Sequence, residues 1–206
     1  MPEHYKTPDW KSREYLDQGT ALVIVHANSQ HDPDQVSKKP IQRLIDSDIA
    51  DYIYEFMAFH ESFVRHNGMI IDNNRSPGDY HIDNLAGQDY ILVGGGLGCC
   101  HFGAYTSLLS ARFTRKTRIH LPADSIYLTS QDYESGETFL SSEIGDLAMK
   151  EFRRYKSLAG TISNGYTIKQ DNMTKKSAGD KRLELILWST TEMMMQYLRQ
   201  TEKVKT

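Results

Sequence analysis

The sequence predicts a single three-layer α/β/α domain with a mostly parallel sheet, and three observations carry that prediction. Short largely apolar runs at 21–25, 69–71, 90–94, 118–121 and 183–188 read as strands, and the continuous β-branched-rich run at 21–25 reads as one covered on both faces. Stretches with apolar residues three and four apart separate several of them, as helices crossing between parallel strands require. The apolar runs give way to polar segments rich in Asn, Asp, Gly and Pro, which suits loops gathered at one rim of a sheet.

In chain order, residues 1–18 are polar without a sustained period, and they are expected to form an N-terminal arm packed through Tyr5, Trp10 and Tyr15, with residues 19–206 as the one α/β domain. Residues 21–25 give the first strand and 26–39 its polar loop. Pro40 suits a first helical position, and Ile41, Leu44, Ile45, Ile49, Tyr52, Ile53, Phe56, His60, Phe63 and Val64 recur at helical steps, so the pattern predicts one long helix over 41–66. Asn67 and Gly68 would end it, because glycine adopts the left-handed cap conformation without strain. Residues 69–71 then give a short second strand, followed by a polar loop over 72–83.

Residues 90–94 form the third strand and run into Gly94, Gly95, Gly96 and Gly98, then Cys99 and Cys100. Phe102, Tyr105, Leu108 and Leu109 predict a short helix after this turn, and 118–121 a fourth strand ending near Asp124. Leu140, Ile144, Leu147, Ala148, Phe152 and Tyr155 mark another helix. Residues 161–168, around Asn164 and Gly165, suit a turn or hairpin, and 171–180 a loop. The fifth strand, 183–188, precedes a capping box at Ser189 and Glu192 that would open a last helix carrying Met194, Tyr197 and Leu198.

Composition narrows the function classes. The chain has 206 residues, 39% hydrophobic and 25% charged, with a net charge of -3, which is ordinary for a soluble globular protein and leaves no basic footprint for nucleic acid. No run approaches the ~20 apolar residues of a membrane span, and the N-terminus lacks a leader pattern, so an intracellular, cytoplasmic protein is expected. The two cysteines are adjacent and fit a reducing compartment.

Chemistry is expected where the strand ends converge. Cys100, between a glycine turn and a helix start, has His26 and His101 within topological reach, and both a helix N-terminus and an imidazole favour a thiolate. Buried packing is the plain alternative for a cysteine. The glycines could cradle an anion, yet they match neither the Walker spacing nor Gly-x-Gly-x-x-Gly, and they equally suit a close approach of helix to sheet. His26, His31 and Asp32, with His81 or His101, are the only metal candidates; no compact ligand spacing supports them, so neither a metal nor a cofactor is expected. His60 reads as a hydrogen-bonded core residue. Arg112, Arg115, Lys116 and Arg118 suit a solvated helix end.

Residues 21–26, 94–104 and 118–124 resemble the first strand, the Gly-rich turn with its cysteine, and the next strand with its terminal Asp of the isochorismatase-like cysteine hydrolases, which include nicotinamidases. The resemblance covers roughly residues 20–160. It implies Cys100 as nucleophile on a small amide-type substrate, with His26 or Asp32 as base. Arg75, Gly98, Cys99, His101 and Asn28 would contact the substrate. The family's base Asp falls at His26, and no Lys lies between Asp72 and Asp83, where Arg75 is the only cation. A guanidinium cannot shuttle a proton at neutral pH. His101 and Ala104 replace the family's usual Val and Thr. The alternative is therefore an inactive member of the fold that serves as a binding or interaction module. Family members often form dimers or tetramers, which leaves a homo-oligomer open.

Overall fold

The computed structural model describes residues 19–30, 32–57, 61–72, 85, 87–95, 100–101, 104, 117–126, 166–171, 182–188 and 190–203. Their seven strands form one sheet: β1 (Thr20–Val25), β2 (Tyr52–Met57), β3 (Met69–Asp72), β4 (Asp89–Gly94), β5 (Thr117–Pro122), β6 (Tyr166–Asp171) and β7 (Arg182–Trp188). The order across the sheet is β3-β2-β1-β4-β5-β7-β6. All neighbouring pairs run parallel except β6 and β7, which are antiparallel. The α/β class and the mostly parallel sheet are thus as expected.

Strand β1 sits between β2 and β4, with Ala21 to Val25 each 0% exposed. Such complete burial explains why this segment shows no polar alternation. Helix α1 (Lys38–Ile45) turns Ile41, Leu44 and Ile45 inward, and helix α2 (Thr191–Lys203) does the same with Met194, Met195 and Leu198. These side chains join Leu22, Ile24, Ile53, Ile91, Val93 and Trp188 in one core cluster. Each fully buried aliphatic contributes about 2 kcal/mol relative to an exposed one.

One expectation is overturned: residues 41–66 are not a single helix. Helix α1 ends at Ile45, Asp48 takes a left-handed φ of 56°, and Tyr52–Met57 is strand β2, hydrogen-bonded between β1 and β3. Asp, Ser and Asp at 46–48 are turn formers, and Tyr-Ile-Tyr-Glu-Phe is a β-prone run whose helical spacing with Ile41 and Leu44 is coincidental. The run at 69–71 is consequently the third strand, at the edge, rather than the second. Pro40 is the third residue of α1, still in the first turn, where its missing N–H needs no partner.

Helix α2 starts as expected, and among the described residues two side chains serve its first turn. The Thr190 hydroxyl accepts from Met193 N–H at 3.3 Å, and Asp124 adds a second anchor: its Oδ1 accepts from Thr191 N–H at 2.8 Å and its Oδ2 from the Thr191 hydroxyl at 3.2 Å. Asp124, placed by sequence among the rim residues, thereby ties the end of β5 to α2. Residue 165 and the turn before it, the expected helix over 140–155, the loop at 172–180 and the arm at 1–18 lie outside the described residues, as does Ser189.

Candidate functional site

Parallel strands place their carboxyl ends on one rim, and a sheet that winds both ways from its centre leaves a crevice where the order reverses. Here β1 is followed in sequence by β2 on one side, while β4 lies on the other and continues to β5. The reversal therefore falls between β1 and β4, whose last paired residues are Val25 and Gly94. Residues following Val25 and Gly94 form the candidate site.

On the β4 side, Gly94 and Gly95 have φ of 78° and 68°, a left-handed pair that swings the chain off the strand. A side chain on Gly94 would place its Cβ 2.4 Å from the Val25 carbonyl oxygen. One on Gly95 would come within 2.9 Å of the His101 backbone nitrogen and 3.4 Å of Cys100 Cβ. Cys100 and His101 are helical, and both are buried, at 4% and 1% exposure. His101 Nδ1 lies 2.9 Å from the Gly94 carbonyl oxygen. A carbonyl can only accept, so Nδ1 carries the proton and the ring is oriented back over the glycine turn.

On the β1 side, His26 holds a left-handed φ of 44°, a conformation that costs a non-glycine residue about 1 kcal/mol or more. Its N–H donates to the Phe56 carbonyl of β2 at 2.8 Å, and its own carbonyl accepts from Asn28 N–H at 2.9 Å. His26 and Asn28 are both buried. The turn is thus held tightly in a shape the chain does not prefer, as is common where a side chain must be aimed.

The structure brings His26, Asn28, Cys100 and His101 to the two strand ends that flank the crevice. Asp32 belongs to the same loop, but its carboxylate accepts from Val36 N–H at 3.0 Å, Ser37 N–H at 2.8 Å and the Ser37 hydroxyl at 2.6 Å. It shapes the approach to α1. Replacing Asp32 by Ala is expected to lower stability by about 2 kcal/mol, because buried donors lose a charged acceptor, and urea denaturation measures it. Arg75, Gly98 and Cys99 lie outside the described residues, as do His31, His60 and His81, and Arg112, Arg115 and Lys116 of the basic cluster. Arg118 forms a bidentate pair with Asp89, 2.5 Å for each bond, joining β5 to β4 at the opposite rim. Among the described residues, no three His, Cys, Asp or Glu side chains gather where they could hold a metal ion.

Two further buried polar groups, His120 and Glu55, are not marked by any spacing in the sequence. His120, in β5, accepts from the Trp188 indole N–H at 3.1 Å and stacks on that ring at 6.0 Å between centroids. Glu55, 1% exposed in the middle of β2, accepts from the Ser62 hydroxyl at 2.5 Å and is bonded to His66 Nε2. A lone Glu inside the apolar run Tyr-Ile-Tyr-Glu-Phe was the available signal, since a carboxylate is buried only with partners. Comparison with family models, with curated proteins and with solved structures found no match for this chain. No helix among the described residues is long and apolar enough to cross a membrane.

Proposed function

We propose that this protein is a divergent cysteine hydrolase, similar to the isochorismatase-like enzymes, that acts on a small amide-type substrate in the β1–β4 crevice. The observation that carries the reading is the position of Cys100: a thiol in the helical segment just beyond a left-handed glycine pair, across the strand ends from His26. The first N–H groups of a helix have no carbonyl partner within it. They suit an oxyanion, as do the amides of residues 98–100 in this reading.

In the proposed reaction His26 accepts the Cys100 thiol proton, and the sulfur attacks the substrate carbonyl carbon. The oxyanion collapses to a thioester as the C–N bond breaks, and the leaving amine takes the proton from the imidazolium. Water, deprotonated by the same imidazole, then cleaves the thioester and restores the thiol. His26 has this role rather than Asp32, whose carboxylate is engaged by three donors. Asn28 and His101, with Arg75, Gly98 and Cys99, are assigned to substrate contact.

A second reading is a binding module of the same fold without catalysis. The burial of Cys100 and His26, each 4% exposed, favours it, because a packed thiol needs no reaction to explain it. Turnover of nicotinamide, simple carbamoyl compounds and isochorismate-type vinyl ethers by wild type, His26→Ala and Cys100→Ala separates the two. Turnover that both variants lose, with Cys100 alkylated by iodoacetamide faster than a model thiol at pH 7, is the expected result. No turnover and an unreactive Cys100 would favour the binding module.

A further inference from the structure

We infer that Glu55, with Ser62 and His66, is a positioning network for His26, holding the candidate base in its left-handed conformation from one strand away. The inference rests on the proposed chemistry only in naming His26 the base. Its structural content is a chain of contacts. His26 N–H is bound by the carbonyl of Phe56, the residue after Glu55. Ala27, the next residue, has its carbonyl bound by Phe63 N–H at 2.8 Å, and Ser29 donates from its hydroxyl to Glu61 at 2.6 Å. The turn at 26–29 is therefore clamped between β2 and the segment at 61–64.

That segment has no regular secondary structure to hold it. Glu55 holds it instead, one carboxylate oxygen on Ser62 and the other on His66. The His66 ring is fixed in turn, because its Nδ1 accepts from Gly68 N–H at 3.0 Å and Nε2 is left to bond the carboxylate. The side chains of Glu55 and His66 are 1% and 2% exposed. Glu55 is registered with Ile24 of β1 and Ile70 of β3, and Ile24 belongs to the core cluster. Aliphatic residues at 55 and 66 together would serve stability about as well, since apolar replacement of a whole buried polar pair is often neutral or stabilising. What an aliphatic residue cannot do is fix residues 62 and 66 at two points of a loop, and through Phe63 the backbone beside His26.

Amide hydrogen exchange tests this without any substrate, so the outcome is independent of whether the protein is a hydrolase. The readout is exchange at His26 and Phe63, each as a ratio to Leu92 in β4, which cancels any global change in stability. The double variant Glu55→Leu/His66→Leu removes both members of the buried pair together, and the Ser62 hydroxyl keeps the Val64 carbonyl at 3.3 Å as an acceptor, which favours a foldable chain. Its two ratios are expected to rise at least tenfold and the His26 ring resonances to move. Glu55→Gln should retain wild-type ratios, because its amide oxygen can accept from His66 Nε2–H while its amino group donates to Ser62 Oγ. Unchanged ratios in the double variant would overturn the inference, as would a tenfold rise in both variants.

Discussion

Gly94→Ala is expected to lower the unfolding free energy by about 3 kcal/mol, the sum of left-handed backbone strain and overpacking. Gly94 is the last residue of β4, at φ 78°, and the added methyl carbon would lie 2.4 Å from the Val25 carbonyl oxygen. That oxygen is backbone of the central strand, whose residues are wholly buried, so it has nowhere to retreat. Relief must come from the turn itself, which would carry Cys100 and His101 away from β1. A shift of the urea midpoint measures the loss, and the expected change in Cys100 alkylation rate reports the displaced turn. A variant as stable as wild type would mean that the chain leaves β4 by another route.

The second large effect is non-additive. Glu55→Leu alone is expected to cost 3 kcal/mol or more, on the order found when one partner of a buried pair is removed, because His66 Nε2 loses its acceptor in the interior and the Ser62 hydroxyl keeps only the Val64 carbonyl. Adding His66→Leu should recover most of it, bringing the double variant within about 1 kcal/mol of wild type. Additive losses in chemical denaturation would show instead that Glu55 and His66 contribute separately.

These two sites also mark what was legible in the sequence. Residues 21–25 and 90–94 could be read as strands because they are buried on both faces and carry no interior charge. The turn at Gly94 and Gly95 could be read because few other roles require so many glycines beside a strand. Strand β2 could not, for a physical reason: Glu55 interrupts the apolar run, and Ile49 is a buried loop residue that extends the helical spacing of α1 across a turn. The site was legible to the level of which strand ends meet, since His26 and Cys100 follow the two central strands. That Asp32 would be taken up by Val36 and Ser37 depends on local loop geometry, which spacing does not encode. The partners of Glu55 lie seven and eleven residues away in a segment with no period of its own.

The seam between β1 and β4 has a consequence for how the molecule comes into being. Strands β1, β2 and β3 pair with sequence neighbours, whereas Val25 meets Gly94 across roughly seventy residues of intervening chain. Closing so long a loop forfeits entropy before its contacts repay it, and topologies dominated by such pairings fold slowly. His26 stands on one side of that seam and Cys100 on the other. Neither a nascent chain that has only its first three strands nor a fragment beginning at β4 holds both. A ligand held between these two strand ends would find its site only after the two wings of the sheet have joined.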